Sequence, residues 1–174
     1  MSKYFQRFTV ADEQQLFEQI DSLNLQLKAF EEEGAQLKLL ETVSVLGSLL
    51  TTARQETDAR KLLLNYQSLA ETNNSSEQSG WFLLALATAN QYLELRPAAN
   101  EQFAEALRRA KEHQWARLEH FVLHHWGRNL AEEGKLTEAR ACFVEALRLR
   151  ELMNEPFQAS TREALAALGK IEQK

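Results

Sequence analysis

"WGRNLAEEGKLTEARACFVEAL", residues 126–147, is the stretch whose reading decides the fold. It is patterned as helix on both sides of Gly134, yet Gly127 sits inside the first of the two, directly behind Trp126. A glycine in a helix interior costs roughly 1 kcal/mol relative to alanine, so it needs a packing reason. Sliding the chain against itself by 40 residues supplies one. Leu123, Trp126, Gly127 and Leu130 fall on Leu83, Leu86, Ala87 and Asn90, and these fall on Val43, Leu46, Gly47 and Leu50. The spacing i, i+3, i+4, i+7 is one face of a helix. A residue with little or no side chain in the middle of that face lets a second helix cross closely.

The second helix of each unit keeps the same register. Ala139, Phe143 and Ala146 match Ala99, Phe103 and Ala106, then Ala59, Leu63 and Tyr66. "EQFAEALR" (101–108) against "ACFVEALR" (141–148) shows the alignment directly. With a shift of 42, Leu165, Leu168 and Gly169 repeat the first-helix stripe, as a terminal half-repeat would. Helical patterning is expected over about 11–32, 36–53, 57–71, 77–94, 97–112, 114–132, 136–152 and 157–172. Gly34 and Gly134 stand where helix-ending glycines stand. "ETNNSSEQSG" (71–80) is a polar turn cluster.

Composition agrees. Six glycines and two prolines in 174 residues are too few for a sandwich or barrel with many tight turns, so the fold class is all-α. A net charge of −5 argues against nucleic acid, which needs a basic face. A single cysteine, Cys142, makes no internal disulfide and points to a reducing, cytoplasmic setting. "MSKYFQRFTV" has no apolar core of a signal peptide. The longest unbroken apolar run, Trp81 to Ala87, is far short of the ~20 residues a membrane span needs.

These residues resemble the tetratricopeptide repeat family. Trp126-Gly127, Gly134 at the turn, Ala139, Phe143 and Ala146 carry the likeness, which covers about residues 36 to 172. The period of 40 rather than the family's shorter one is similar to the long-repeat type of kinesin light chains and bacterial regulators. The resemblance implies an α-α superhelix with a concave side. Residues 1–35 would form a tail and capping helix; hairpins would fill 36–75, 76–115 and 116–155, and a last helix 156–172, all as one structural domain.

In that family the stripe beside the packing face of each first helix lines a peptide-binding groove. Here it holds Glu41, Ser44 and Ser48, then Trp81, Leu84, Thr88 and Gln91, then Phe121, His124 and Arg128. Such a tract suits a peptide with a hydrophobic anchor between Trp81 and Phe121 and a carboxylate near Arg128, because guanidinium groups capture carboxylates in bidentate fashion. The plain alternatives are that Trp81 and Phe121 pack against a neighbouring helix, and that Arg128 is a surface charge paired with Glu132 at i+4.

Other chemistry is harder to find. His120 and His124 have a spacing that holds two metal ligands. Zinc takes three or four protein ligands, and no cysteine or second histidine pair completes the set, so no metal is expected. Twenty-two glutamates make carboxylate pairs uninformative about acid–base catalysis. Cys142 reads as a half-buried structural thiol. No cofactor motif occurs, and no catalytic residue is assigned.

The first residues differ from the rest. "KYFQRFTV" places Tyr4, Phe5 and Phe8 beside Lys3 and Arg7, outside any repeat. Two readings stand: a tail capping the first helix, or a tail reaching a groove of its own or a sister chain. The expected function is a non-enzymatic adaptor binding a peptide or protein partner, with neither nucleic acid nor membrane as target. The alternatives are a dedicated chaperone or neutralising partner of one secreted or toxic client, or a regulatory scaffold that self-associates as a homo-oligomer.

Overall fold

The helices of this chain end on a shared beat. The computed structural model describes residues 4–173 and contains α1 (Glu13–Glu33), α2 (Gln36–Thr52), α3 (Glu56–Asn65), α4 (Gln67–Thr72), α5 (Glu77–Tyr92), α6 (Arg96–Glu112), α7 (Ala116–Glu132), α8 (Leu136–Leu152) and α9 (Gln158–Glu172). No strand occurs among the described residues, so the protein is all-α. Gly34, Arg54, Glu94, Gln114, Gly134 and Asn154 all have left-handed backbones, with φ between 53° and 76°. In each case the next residue's N–H donates to a carbonyl five residues back: Ala35 to Phe30, Gln55 to Leu50, Leu95 to Asn90, Trp115 to Ala110, Lys135 to Leu130 and Glu155 to Arg150, at 2.8–3.1 Å. This closure satisfies carbonyls that a helix end leaves without partners. The series is spaced by twenty residues and skips only Asn74, inside the polar turn cluster.

The N-termini are capped less uniformly. Asp12 accepts from the N–H of Gln15 at 3.0 Å, and Ser76 from that of Ser79 at 3.2 Å. The expected helix 57–71 is interrupted at Tyr66, whose N–H bonds to the Leu63 carbonyl at 3.0 Å. Tyr66 holds the repeat phase of Ala106 and Ala146, both fully buried. A tyrosine does not fit that space; it stays half-buried and gives its hydroxyl to Glu31 on α1.

The chain divides into two compact units, one of Phe8–Ala106 and one of the tail up to Arg7 with Leu107–Lys174; the division falls within α6. In the first unit Leu16 and Ile20 of α1, Val43 and Leu46 of α2, Leu63 of α3 and Phe82 and Leu86 of α5 share one core. In the second, Leu130 of α7, Ala139 and Phe143 of α8, and Ala164 and Leu168 of α9 do the same.

The glycine question has a geometric answer. A Cβ placed on Gly127 would lie 2.8 Å from Cε1 of Phe143, and one on Gly47 would lie 2.8 Å from Cδ1 of Leu63. Each glycine faces the residue sixteen positions on, in the partner helix of its own hairpin. Gly169 is different: its Cβ would meet only an Arg140 guanidinium nitrogen, at 3.8 Å. The repeat's terminal glycine therefore marks no close crossing, and the expectation fails there.

Two of these glycines make opposed predictions, and a left-handed glutamine adds a third variant. Gly127→Ala must displace a buried ring, which outweighs the helix gain and costs on the order of 1–2 kcal/mol net. Gly169→Ala has room and should gain about 0.5–1 kcal/mol. Gln114→Gly should gain a similar amount, roughly 0.5–1 kcal/mol, by relieving a left-handed non-glycine residue. Urea unfolding curves of the three variants check this; like-signed shifts for the two alanines would refute the crossing geometry.

Candidate functional site

The strongest constellation lies on α7 and gathers residues 4–7 of the tail. Arg128 is only 5% exposed, although it sits on a helix face expected to line a groove. Its Nε donates to the Phe5 carbonyl at 3.2 Å, and an Nη donates to the Gln6 carbonyl. One turn on, Glu132 accepts the Phe5 N–H at 3.0 Å. The Phe5 ring stacks on Phe143 with centroids 5.9 Å apart and packs on the core of α7, α8 and α9. Gln6 bends the chain with a left-handed φ of 46°, between the two carbonyls that Arg128 holds, and its side chain donates to the Glu163 carbonyl at 3.3 Å. Arg7 closes over the Tyr4 ring at 5.2 Å. The tail thus reaches a groove of its own chain. Its main chain is read by a cation and a carboxylate, and its side chain by an aromatic surface.

A second cluster lies deeper in the same unit. Arg150 of α8 is 1% exposed, and its hydrogen bonds go to neutral acceptors: Nδ1 of His120 at 3.1 Å, the Phe157 carbonyl at 2.8 Å, and the hydroxyls of Ser160 and Thr161. The rings of Phe121 and Phe157 flank the guanidinium at 5.4 and 5.7 Å, a cation–π arrangement that gains strength out of water. Thr161 Oγ1 also lies 3.1 Å from Nδ1 of His124, linking both histidines to one cation. Because Arg150 donates to Nδ1, the proton of neutral His120 belongs on Nε2, which has no hydrogen-bond partner among the described residues. Burial, then the Arg150 and Arg117 charges, push His120 down to about 4. Burial and the Arg128 and Arg150 charges push His125 down to about 3. Burial also holds His124 well below its ordinary value, with His125 and Arg150 adding to the effect.

The residues expected to line the groove are placed as follows. Glu41 and Ser48 on α2 are exposed, while Ser44 is buried. The Ser48 hydroxyl donates to the Ser44 carbonyl at 2.9 Å, and the Ser44 hydroxyl to that of Leu40. On α5, Leu84, Thr88 and Gln91 are buried; Thr88 donates to the Leu84 carbonyl at 2.8 Å. These hydroxyls are spent on their own helices. Trp81 is half-buried and donates its indole N–H to Glu77 at 3.1 Å. On α7, Phe121 packs edge-on against Phe157 at 5.2 Å and His124 is buried against Phe143. Of these side chains, Arg128 meets the tail, donating to two successive main-chain carbonyls. Sequence reasoning missed Arg150, which reads as a solvated charge on a helix.

Cys142 is half-buried, and burial pushes its thiol up to about 11, so it is protonated at neutral pH. Among the described residues no group of three His, Cys, Asp or Glu is gathered in a way that would hold a metal ion. No helix among them is long and apolar enough to cross a membrane. Comparison with protein-family models, with curated proteins and with solved structures gives no match to this chain.

The histidines set an acid limit on stability. Their folded pKa values lie below the ordinary 6.5, so the unfolded chain binds more protons as pH falls. Their contribution is complete above about pH 6.5 and is lost progressively down to about 4 for His120 and 3 for His125. His120→Gln, which keeps an acceptor for Arg150 but does not titrate, should flatten the fall in urea midpoint between pH 6.5 and 4. An unchanged slope would show that His120 is not buried neutral.

Proposed function

We propose that the chain is a non-enzymatic protein-interaction module of tetratricopeptide-repeat type, which binds a peptide or protein segment along α7. The observation that supports it is the grip on residues 5 and 6: Arg128 on two carbonyls, Glu132 on an N–H, and Phe143 under the intervening ring. Main-chain hydrogen bonds supply affinity whatever the sequence, and a side-chain pocket adds selection; peptide readers divide the work in this way. The solenoid implied by the family resemblance belongs to the same reading. Its support is the repeated hairpin register, Gly47 over Leu63 and Gly127 over Phe143. The non-enzymatic part is supported by what the reactive groups are doing. Cys142 is held as a thiol, and His120 and His124 are tied to Arg150 and Thr161.

The test is co-purification from the cells that make the protein, using the intact chain and Arg128→Ala. A partner near equimolar with the intact chain should fall at least about tenfold with the variant, as expected when a charged hydrogen-bonding group is lost from an interface. Circular dichroism must show equal helicity. Equal recovery of the partner by both folded chains would rule out α7 as the binding face.

A further inference from the structure

We propose that residues 4–7 occupy the α7–α9 site in cis, and that its ligand in trans is a peptide of the same chemistry. That ligand presents an aromatic side chain, then a residue able to turn left-handed, then a basic one. The inference rests on the interaction-module reading above and adds both the ligand class and its built-in competitor.

Three features carry it. The tail docks as irregular chain rather than as a helix: Tyr4 and Phe5 are half-buried, and Gln6 is exposed. Arg128, 5% exposed, donates to two successive main-chain carbonyls of this segment, so the cation is aimed at a main chain. The site is also wider than its occupant. A cleft of about 700 Å³ continues beside Tyr4 and Phe5, lined by Ala131, Ala166, Ala167 and Ile171 together with Glu132, Glu163 and Lys170. Small side chains leave space for a larger aromatic segment, and the basic position of the ligand follows the occupant itself, whose Arg7 lies over the Tyr4 ring. The tail itself holds a left-handed glutamine, a conformation that disfavours its own docking.

A segment tethered to its own site lowers apparent affinity for a rival by the fraction of time the site is free. The probe is a capped, fluorescein-labelled peptide SKYFQRF, the sequence of residues 2–8, titrated into full-length protein and followed by anisotropy. Phe5→Ala removes the ring that seats on Phe143 and should tighten binding of the probe about tenfold or more over the intact chain. Adding Arg128→Gln to Phe5→Ala should return binding to the weak level. If Phe5→Ala loses helicity, Gln6→Pro serves instead, since proline holds φ near −65° and does not adopt the left-handed bend. A folded tail variant that binds the probe no better than the intact chain overturns the proposal, as does binding that survives Arg128→Gln. The two readings fail separately. If the probe is ignored while Arg128→Ala still sheds a cellular partner, the cis occupant is lost and the interaction module stands. If the probe binds while the cellular partner ignores Arg128→Ala, it is the interaction module that falls.

Discussion

One aromatic ring fixes the geometry of the C-terminal unit. Phe143 stands so close to α7 that Gly127 has no room for a methyl group, and that contact sets how near α8 approaches. The same ring receives Phe5 at 5.9 Å and the edge of His124 at 5.6 Å. Core packing tolerates little change of volume before neighbours must move. A shift of Phe143 would therefore reach the helix pair, the tail and the histidine cluster at once. In the other unit Leu63 plays the corresponding part under Gly47, with a smaller and more pliant side chain.

The cluster around Arg150 is costly to assemble. A charge out of water loses several kcal/mol of solvation unless its hydrogen bonds are replaced. Here a histidine nitrogen, a main-chain carbonyl, two hydroxyls and two ring faces replace them. Those acceptors come from α7, from Phe157 and from the start of α9, so the guanidinium fastens the last helix to the hairpin before it. Burial lowers Arg150 to about 10, which still leaves it charged at neutral pH.

Much of this was legible in the residues, and the misses have physical reasons. The 40-residue period came from side chains that face the core, where volume is tightly specified. The twenty-residue beat of the connections was hidden, because only Gly34, Gly134 and Asn154 are residue types suited to a left-handed backbone. Arg54, Glu94 and Gln114 adopt it under the pull of the hydrogen bonds that close each helix. The register did contain a signal for the buried cluster. Ala70, Ala110 and Arg150 share one phase, and Leu40, Gly80 and His120 share another. Two positions that are apolar or small in the earlier hairpins turn polar together in the last, which is the mark of a paired replacement. Gly169 misled for the opposite reason. An absent side chain permits a close approach, but the approach needs a partner residue like Leu63 or Phe143. Periodicity placed Arg128 on α7 beside the packing face but could not show that the chain's own tail lies against it.

The skipped beat at Asn74 changes what the chain can absorb. At the other connections, the α3–α4 break at Tyr66 apart, the link is short and closed by the same hydrogen bond, and one added residue would rotate the following helix by about 100° and turn its apolar stripe away from the core. Chain length is thus quantised through most of the protein: growth or loss is tolerable by whole hairpins and not by single residues. The polar segment between α4 and α5 has no left-handed residue to time the next helix; side chains close it instead, Ser76 capping α5 and the Ser79 hydroxyl donating to the Asn74 carbonyl at 3.1 Å. An insertion there would leave the left-handed closures of the other connections untouched.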